Sequence, residues 1–360
     1  MELLQSAITI VLFFVILGGL VVVHEIGHFV TARLANVRVL EFGIGFPPRA
    51  RVLARGGETL YTLNWLPIGG FVKLEGEDGD HADDPRSFAR QPLPTRLVIL
   101  VAGVVMNLVV SIAIFTGITY TNDTAFGVRF GEVVVGSPAE AAGLQPGDML
   151  VSIDGQRYSA FEGRVPVDDL AAKAGQRVTL GIERADGTFE EIEVTLRVPS
   201  EGQGALGITR LTGEPAGRIE HSVPEAIGIG VDRTVDAFGL ILGGLADLGR
   251  SIVSDPTTPP PAAGPVGIAF QIGDVLWSLG PLYVLYLAGI LSANLALVNI
   301  LPFPPLDGGR MLVITLKALF GERISLRAER LTYFVGFVAL FAFLIWITVF
   351  DIARLGGVVE

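Results

Sequence analysis

The sequence predicts a multi-pass α-helical membrane protein with four transmembrane helices, one inserted soluble α+β domain and a membrane-associated β-hairpin loop. Of the 360 residues, 50% are hydrophobic and only 18% are charged, a balance that is too apolar for an ordinary soluble enzyme. Four apolar runs each reach about 20 residues, the length that a helix needs to cross a bilayer. The chain contains no cysteine, which excludes disulfides, iron–sulfur clusters, cysteine nucleophiles and thiolate metal ligands.

The apolar runs and the motifs between them divide the chain into predicted segments. These are a first transmembrane helix within 1–36, a loop with the β-hairpin at 37–93, a second helix at 94–121, the soluble domain at 125–209, an interfacial helix and proline-rich linker at 210–279, a third, broken transmembrane segment at 280–309 and a fourth helix at 331–350. The first run lacks the basic start of a secretory signal, so we expect it to stay in the protein. A further helical pattern at 228–252 carries five charged residues, and we expect it to lie at the membrane interface without crossing.

The distribution of charge predicts the side of the membrane on which each loop lies. Residues 31–96 carry 9 basic and 8 acidic side chains, and residues 308–330 carry 5 basic and 2 acidic ones. Residues 121–279 carry 11 basic and 22 acidic side chains, so their net charge of −11 equals that of the whole chain. Because basic loops tend to stay in the cytoplasm, the acidic segment and both termini are expected outside it. So acidic a chain gives no indication of nucleic-acid binding.

The acidic segment contains a sequence pattern of a small folded domain. It reads SPAEAAGL at 137–144, then QPGD at 145–148, the strand-like run MLVSI at 149–153 and the turn DG at 154–155. This order resembles a bacterial, circularly permuted PDZ domain, a type that captures peptides by adding a strand to a sheet edge. The carboxylate-binding loop of such a domain could lie at 126–131 or at 204–208. The alternative interpretation is an inert spacer.

The end of the first apolar run carries the strongest chemical signal, the sequence His24-Glu25-Ile26-Gly27-His28. Two histidines at positions i and i+4 lie on one face of a helix, as two imidazole ligands of one zinc ion require, and the glutamate between them can act as a base toward water. The alternative is a pair of histidines that only pack between helices. Burial of one Glu and two His beside a membrane span is costly without a function.

A third protein ligand has to come from another part of the chain. The remaining histidines, His81 and His221, lie in polar loops and are expected to be solvated. Asp307 is the better candidate, because Pro302, Pro304 and Pro305 break the third apolar run just before it. Broken backbone at membrane depth is tolerated where protein or a wet cavity satisfies it. The alternative role of Asp307 is to cap the helix that follows.

Together, these motifs resemble the site-2 protease family of intramembrane zinc metalloproteases, and they are closest to the bacterial regulator-of-sigma-E protease. The resemblance rests on HExxH in the first span, GVVMN at 103–107 in the second, NxxPxPxLDG at 299–308 in the third, and the PDZ-like domain between the second and third. It implies Zn²⁺ as the cofactor, with His24, His28 and Asp307 as its ligands and Glu25 as the general base.

The resemblance also implies residues that bind the substrate. Asn294 and Asn299 match asparagines that the family places near substrate, although they could equally form ordinary hydrogen bonds between helices. Two short predicted strands at 60–65 and 70–74 resemble the family's membrane re-entrant β-loop. The edge that includes Gly70, Phe71 and Val72 could pair with an extended substrate. A plain cytoplasmic hairpin is the alternative.

The function expected from these observations is proteolysis within or near the transmembrane segment of single-pass membrane proteins, in the cytoplasmic membrane of a bacterium. Family members act on anti-sigma factors already shortened by another protease or on remnant signal peptides. The partners expected are such pre-cleaved substrates and the lipid bilayer, with no nucleic acid. The alternative is a membrane-anchored PDZ peptide-binding or chaperone module without proteolytic activity. A transporter would show paired internal repeats, and the sequence shows none.

The predicted orientation can be measured with reporter fusions or by protease protection in intact membranes. We expect Gly187, in the acidic segment, to lie outside the cytoplasm and Gly79, in the first basic loop, to lie inside it. Detection of Gly187 in the cytoplasm would invert the orientation.

Overall fold

The structure is a computed structural model that describes residues 2–77, 83–161, 163, 165–199, 204–255, 257–321 and 326–356. Nine α-helices and eight β-strands lie within these ranges. In chain order they are α1 (Glu2–Leu34), β1 (Val39–Gly56), β2 (Thr59–Leu74), α2 (Leu93–Asn122), β3 (Thr124–Val133), α3 (Pro138–Ala141), β4 (Met149–Ile153), β5 (Gln156–Ser159), α4 (Pro166–Ala172), β6 (Arg177–Glu183), β7 (Phe189–Thr195), β8 (Ile208–Arg218), α5 (Val223–Ser254), α6 (Pro265–Ser278), α7 (Pro281–Ile300), α8 (Asp307–Phe320) and α9 (Leu326–Leu355).

The chain forms two compact units. The first comprises Met1–Phe115 and Gly230–Glu360, and the second comprises Thr116–Ile229. In the second unit, six antiparallel strands form one sheet in the order β7-β6-β4-β5-β3-β8. Its core contains large, fully buried side chains, among them Phe130, Leu150, Tyr158, Leu180 and Ile182.

The sheet of the second unit extends beyond the predicted boundary at residue 209. The strand β8 pairs along the whole of β3, from Val133 opposite Ile208 to Thr124 opposite Arg218. Sequence reasoning missed this strand because its side chains are almost all exposed, so it lacks the apolar alternation of a half-buried strand.

Local signals in the same unit were predicted correctly. Ser137 caps α3, where its hydroxyl accepts a hydrogen bond from the backbone N–H of Glu140 at 3.2 Å. Asp154 and Gly155 both have positive φ, 52° and 78°, as a tight hairpin turn between β4 and β5 requires.

Five of the described helices are long and apolar enough to cross a membrane. They are Leu3–Leu34, Leu93–Asn122, Val223–Ser254, Pro281–Ile300 and Arg327–Leu355. The prediction of several long apolar helices combined with β-sheet is therefore confirmed. The predicted count of four spans is not confirmed, because the segment expected at the interface forms the continuous helix α5.

The charged residues of α5 do not interrupt it because they lie on separate faces. Asp232 and Asp236 are one turn apart and exposed, whereas Arg233 and Thr234 are buried. The Thr234 hydroxyl lies 3.3 Å from that of Ser111, which attaches α5 to α2. A charge count along the sequence could not show this segregation.

The predicted hairpin has different strand partners in the structure. Both predicted strands belong to β2, and they do not pair with each other, since the first half of β1 lies between them: Phe42 pairs with Tyr61 on one side and with Val72 on the other. A Cβ on Gly43 would come within 2.3 Å of the Phe71 ring, so a larger residue at position 43 would force this ring to move. Sequence reasoning missed β1 because its glycines and Pro47-Pro48 resemble a loop.

The third apolar run ends in a sharp reversal of the chain. The helix α7 ends at Ile300 and α8 begins at Asp307, with the three prolines in the break. A Cβ on Gly308 would lie 2.1 Å from the carbonyl oxygen of Ile300, and one on Gly309 would lie 2.4 Å from the nitrogen of Pro304. These two glycines therefore let the first turn of α8 pack directly on the broken backbone.

Candidate metal centre

The two histidines of the HExxH motif are buried on one face of α1. His24 is 6% exposed and His28 is 8% exposed, and their Nε2 atoms lie 3.1 Å apart. The helix α1 continues through the motif, so the spacing of four residues places both rings on the same face of the helix.

Asp307 reaches the same point from the other end of the chain. Its Oδ2 atom lies 2.9 Å from Nε2 of His24 and 3.4 Å from Nε2 of His28. The preceding residue, Leu306, occupies the N-cap position of α8 and makes no side-chain cap hydrogen bond. Asp307 is therefore the first residue of α8 and not its N-cap, and its carboxylate lies against the two imidazoles.

The three side-chain atoms have a spacing close to that of a tetrahedral metal site. Bonds of about 2.0–2.1 Å at tetrahedral angles separate neighbouring ligand atoms by about 3.3–3.4 Å. The three observed separations are 2.9, 3.1 and 3.4 Å. Two imidazole nitrogens and one carboxylate oxygen form a donor set that suits zinc and leave a fourth position for a water molecule. Among the described residues, these three form the one cluster with metal-ligand geometry.

The helix α2 leaves space beside these atoms because it carries a glycine there. A Cβ on Gly103 would lie 2.5 Å from Nε2 of His28 and 2.7 Å from Nε2 of His24. On the facing helix α1, a Cβ on Gly27 would lie 2.4 Å from the carbonyl oxygen of Ala102 in α2. Small residues thus allow α1 and α2 to approach closely, and any side chain at position 103 would fill the space at the Nε2 atoms of the two histidines.

The hydrogen bond behind His28 determines which ring nitrogen is available to a metal. Nδ1 of His28 lies 2.8 Å from the carbonyl oxygen of Ile99. A carbonyl oxygen can only accept, so Nδ1 carries a proton, and in the neutral imidazole Nε2 then keeps its lone pair. Such a partner also fixes the orientation of the ring.

Glu25 lines a cavity of about 400 Å³ beside the cluster. The cavity is lined by both Glu25 and two of the three cluster residues, His28 and Asp307. It is also lined by residues 70–74 of β2. A Cβ on Gly70 would lie 3.3 Å from Cγ of Glu25, so the strand backbone runs directly beside the glutamate.

An ion pair at the cavity connects the segment that follows β2 to α8. Arg310 donates a hydrogen bond to the carboxylate of Glu77, and its guanidinium lies 5.9 Å from the centre of the Tyr333 ring. The neighbouring Glu77 carboxylate raises the pKa of Arg310 further above its usual value, so the guanidinium stays charged. The pair joins the segment after the strand edge to the helix that carries Asp307.

Two of the predicted site residues and the two remaining histidines are not among the residues that form the cluster or line the cavity in the described part of the chain. Asn294 and Asn299 are half-buried on α7 and are not among the residues that line the cavity. His221 donates a hydrogen bond from Nε2 to the buried carboxylate of Asp123 at 2.7 Å in the second unit, so it is less solvated than expected of a loop histidine. His81 lies outside the described residues.

Sequence reasoning missed the supporting residues. The sequence assigned no role to Glu77, Ile99 or Arg310. Asn107, whose amide nitrogen lies 3.3 Å from Nδ1 of His24, matched a family motif of asparagines near substrate and was not predicted to contact a histidine. Arg310 follows Asp307 by three residues on the same helix, which is the one signal that could have identified it. The contacts of the others join distant segments.

Comparison with known proteins decides the family. The model of peptidase family M50 matches residues 12–343 of the chain. The chain belongs to peptidase family M50. The site-2 protease resemblance expected from the motifs is therefore confirmed.

Relatives of this M50 peptidase align along almost its whole length. The zinc metalloprotease RasP of Geobacillus kaustophilus is 28% identical and covers 98% of this chain and 99% of its own. A chloroplastic protein of Arabidopsis thaliana whose name describes a membrane metalloprotease is 32% identical, over 86% of this chain and 71% of its own. The PDZ domain of an SdrC-like protein of Listeria innocua is 26% identical over 26% of this chain, but its TM-score of 0.19 is too low to establish a shared fold.

The geometry predicts which residues this M50 peptidase needs to hold a metal. Replacement of Asp307 by Ala should lower the zinc affinity of the purified protein by more than about tenfold, because loss of a ligand costs at least as much as loss of a partner behind one. Replacement of His221 by Gln, which keeps a donor for Asp123, should leave the affinity unchanged. Metal analysis after competition with a chelator measures both. The reverse pattern would move the third ligand to the second unit.

Proposed function

We propose that this chain is an intramembrane zinc metalloprotease that hydrolyses a peptide bond within or near the transmembrane segment of single-pass membrane proteins. The observation that carries the proposal is the triangle of His24, His28 and Asp307 atoms, with sides of 2.9, 3.1 and 3.4 Å, beside a glutamate in a cavity. The matching of the M50 model to residues 12–343 supports it.

The chain's own residues supply binding, orientation and proton transfer. A zinc ion bound at the cluster would polarise the scissile carbonyl and activate a water molecule for attack. The carboxylate of Glu25 takes a proton from the attacking water and returns it to the nitrogen of the leaving amine, which makes the amine a better leaving group. Glu25 is suited to this role because it lines the cavity beside the cluster and is not one of the three residues whose atoms form the triangle.

The edge of β2 is suited to present a substrate to this machinery. A helical substrate hides its carbonyl groups in internal hydrogen bonds, so the segment to be cut must first be extended. Residues 70–73 pair with β1 on one edge, and within the described residues no strand pairs with their other edge. We propose that Gly70, Phe71 and Val72 add the substrate as a further strand, which would run past Glu25.

Further contacts, the partners and the location extend the same proposal. Asn294 and Asn299, near the end of α7, are proposed to hydrogen-bond to the substrate. The substrates are proposed to be anti-sigma factors or remnant signal peptides already cut by another protease, in the cytoplasmic membrane of a bacterium. The second unit is proposed to be a PDZ-like domain outside the cytoplasm. All residues of the triangle and cavity belong to the first unit, so the second unit would act on access or binding of substrates.

Removal of the proposed base should separate catalysis from metal binding. The Glu25→Gln variant keeps the size of the side chain but cannot accept a proton, and we expect cleavage of a model transmembrane substrate to fall by about 10²–10⁴-fold. The zinc content should remain that of the unaltered protein. Glu58→Gln is the matched control, since Glu58 is an exposed carboxylate of the same unit and does not line the cavity. Near-normal turnover by Glu25→Gln would contradict the role of Glu25 as the base, whereas absence of cleavage by the unaltered protein would favour a binding or chaperone module.

Removal of the second unit's sheet tests its proposed role as a filter. Thr124 and Arg218 pair across β3 and β8, so a short glycine linker can join them after deletion of 125–217. We expect the shortened protein to cleave a pre-cut substrate at a nearly unchanged rate and to cleave an uncut one as well. Loss of cleavage of the pre-cut substrate, in a protein that still binds zinc, would identify the domain as a required docking site.

A further inference from the structure

We infer that Asn107 is a positioning residue that fixes the imidazole of His24 for metal binding by accepting a hydrogen bond from its Nδ1–H group. The inference rests on the ligand set of the proposed function. It assigns to the second helix a part in the metal centre besides the space that Gly103 leaves.

Asn107 is placed directly behind the His24 ring. It lies one turn after Gly103 on α2 and is fully buried. Its side-chain nitrogen is 3.3 Å from Nδ1 of His24, while its side-chain oxygen has no hydrogen-bond partner. The hydroxyl of Ser292 on α7 donates to the backbone carbonyl of Asn107 at 2.8 Å, which holds this turn of α2 in place.

The positions of the protons on His24 decide what Asn107 must do. Nε2 of His24 faces Asp307 at 2.9 Å and His28 at 3.1 Å, so Nε2 is the atom that would bind the metal. It can do so only with a free lone pair, and a neutral imidazole then carries its proton on Nδ1. The group opposite Nδ1 must therefore be an acceptor.

An amide can meet this requirement in one of its two orientations. The two ends of the Asn107 amide have nearly the same size, so a half-turn about χ2 places Oδ1 where Nδ2 lies, opposite Nδ1 of His24. The partner of His28 has no such choice, because the carbonyl of Ile99 only accepts. Asn107 is the one partner that the described contacts provide for Nδ1 of His24. It would thus select the metal-binding tautomer of the first ligand.

Substitutions that keep or remove an acceptor test this assignment on the full-length protein in detergent. Asn107→Asp keeps oxygen acceptors and removes the N–H donor, whereas Asn107→Leu and Asn107→Ala remove both. Zinc affinity is measured by competition with a chelator, and thermal unfolding is measured on the metal-free protein. We expect Asn107→Leu and Asn107→Ala to weaken zinc binding by about 10–100-fold, the usual effect of losing a partner behind a metal ligand. We expect the Asn107→Asp variant to bind zinc at least as tightly as the unaltered protein.

A control on the same helix separates this effect from general loss of packing. Ser111→Ala removes an equally buried hydroxyl one turn beyond Asn107, which contacts Thr234 and not a histidine, and it should leave zinc affinity unchanged. Equal losses of zinc affinity in Asn107→Asp and Asn107→Leu would show that the N–H group is what matters and would overturn the inference. Unchanged zinc affinity in Asn107→Leu and Asn107→Ala would also overturn it. A metal-free protein destabilised in parallel with its loss of affinity would show a structural role alone, which also overturns it.

The same measurements distinguish failure of this inference from failure of the proposed function. If Asp307→Ala retains full zinc affinity, the proposed ligand set is wrong, whatever the Asn107 variants show. If Asp307→Ala loses zinc while Asn107→Leu keeps it, the ligand set stands and only the role of Asn107 is rejected.

Discussion

The contact between two imidazoles and one carboxylate, inside a bundle of apolar helices, is the constraint on which the first unit depends. Removing such polar groups from water is costly unless they have partners or bind a metal. Here the Asp307 carboxylate lies 2.9 Å from His24, and Ile99 accepts a hydrogen bond from His28. These contacts require backbones to approach more closely than ordinary side chains allow. Glycines provide that approach at positions 27 and 103, where α1 meets α2.

The broken segment before Asp307 follows from the same constraint. If α7 continued through residues 300–307, Asp307 would not lie in the first turn of a helix. The chain instead ends α7 at Ile300 and begins α8 at Asp307. The prolines end α7, and Gly308 and Gly309 allow α8 to pack on the break at distances that a Cβ would forbid. The pair of Glu77 and Arg310 then connects this helix to the segment that follows β2. One arrangement thus positions the Asp307 carboxylate, the cavity and the edge of β2.

Sequence reasoning succeeded where chemistry is encoded over a few residues. The HExxH spacing predicted that His24 and His28 share a face, and the lack of cysteine together with the proline break directed attention to Asp307. It failed where contacts join distant segments: the partner of His24 on another helix, and the insertion of β1 between the halves of β2. The charges of α5 could be counted from the sequence, but the face of the helix on which each one lies could not be predicted. The contact of Thr234 with Ser111 shows which face is buried. Local periodicity carries no information about such pairings.

The central claim is that one zinc ion binds between α1 and α8, and anomalous X-ray diffraction at the zinc absorption edge tests it most directly. Crystals of the zinc-loaded protein should show one strong anomalous peak, at about 2.0–2.2 Å from Nε2 of His24, Nε2 of His28 and Oδ2 of Asp307. A peak at His221 in the second unit, or a peak in contact with the histidines of α1 but remote from Asp307, would contradict the account.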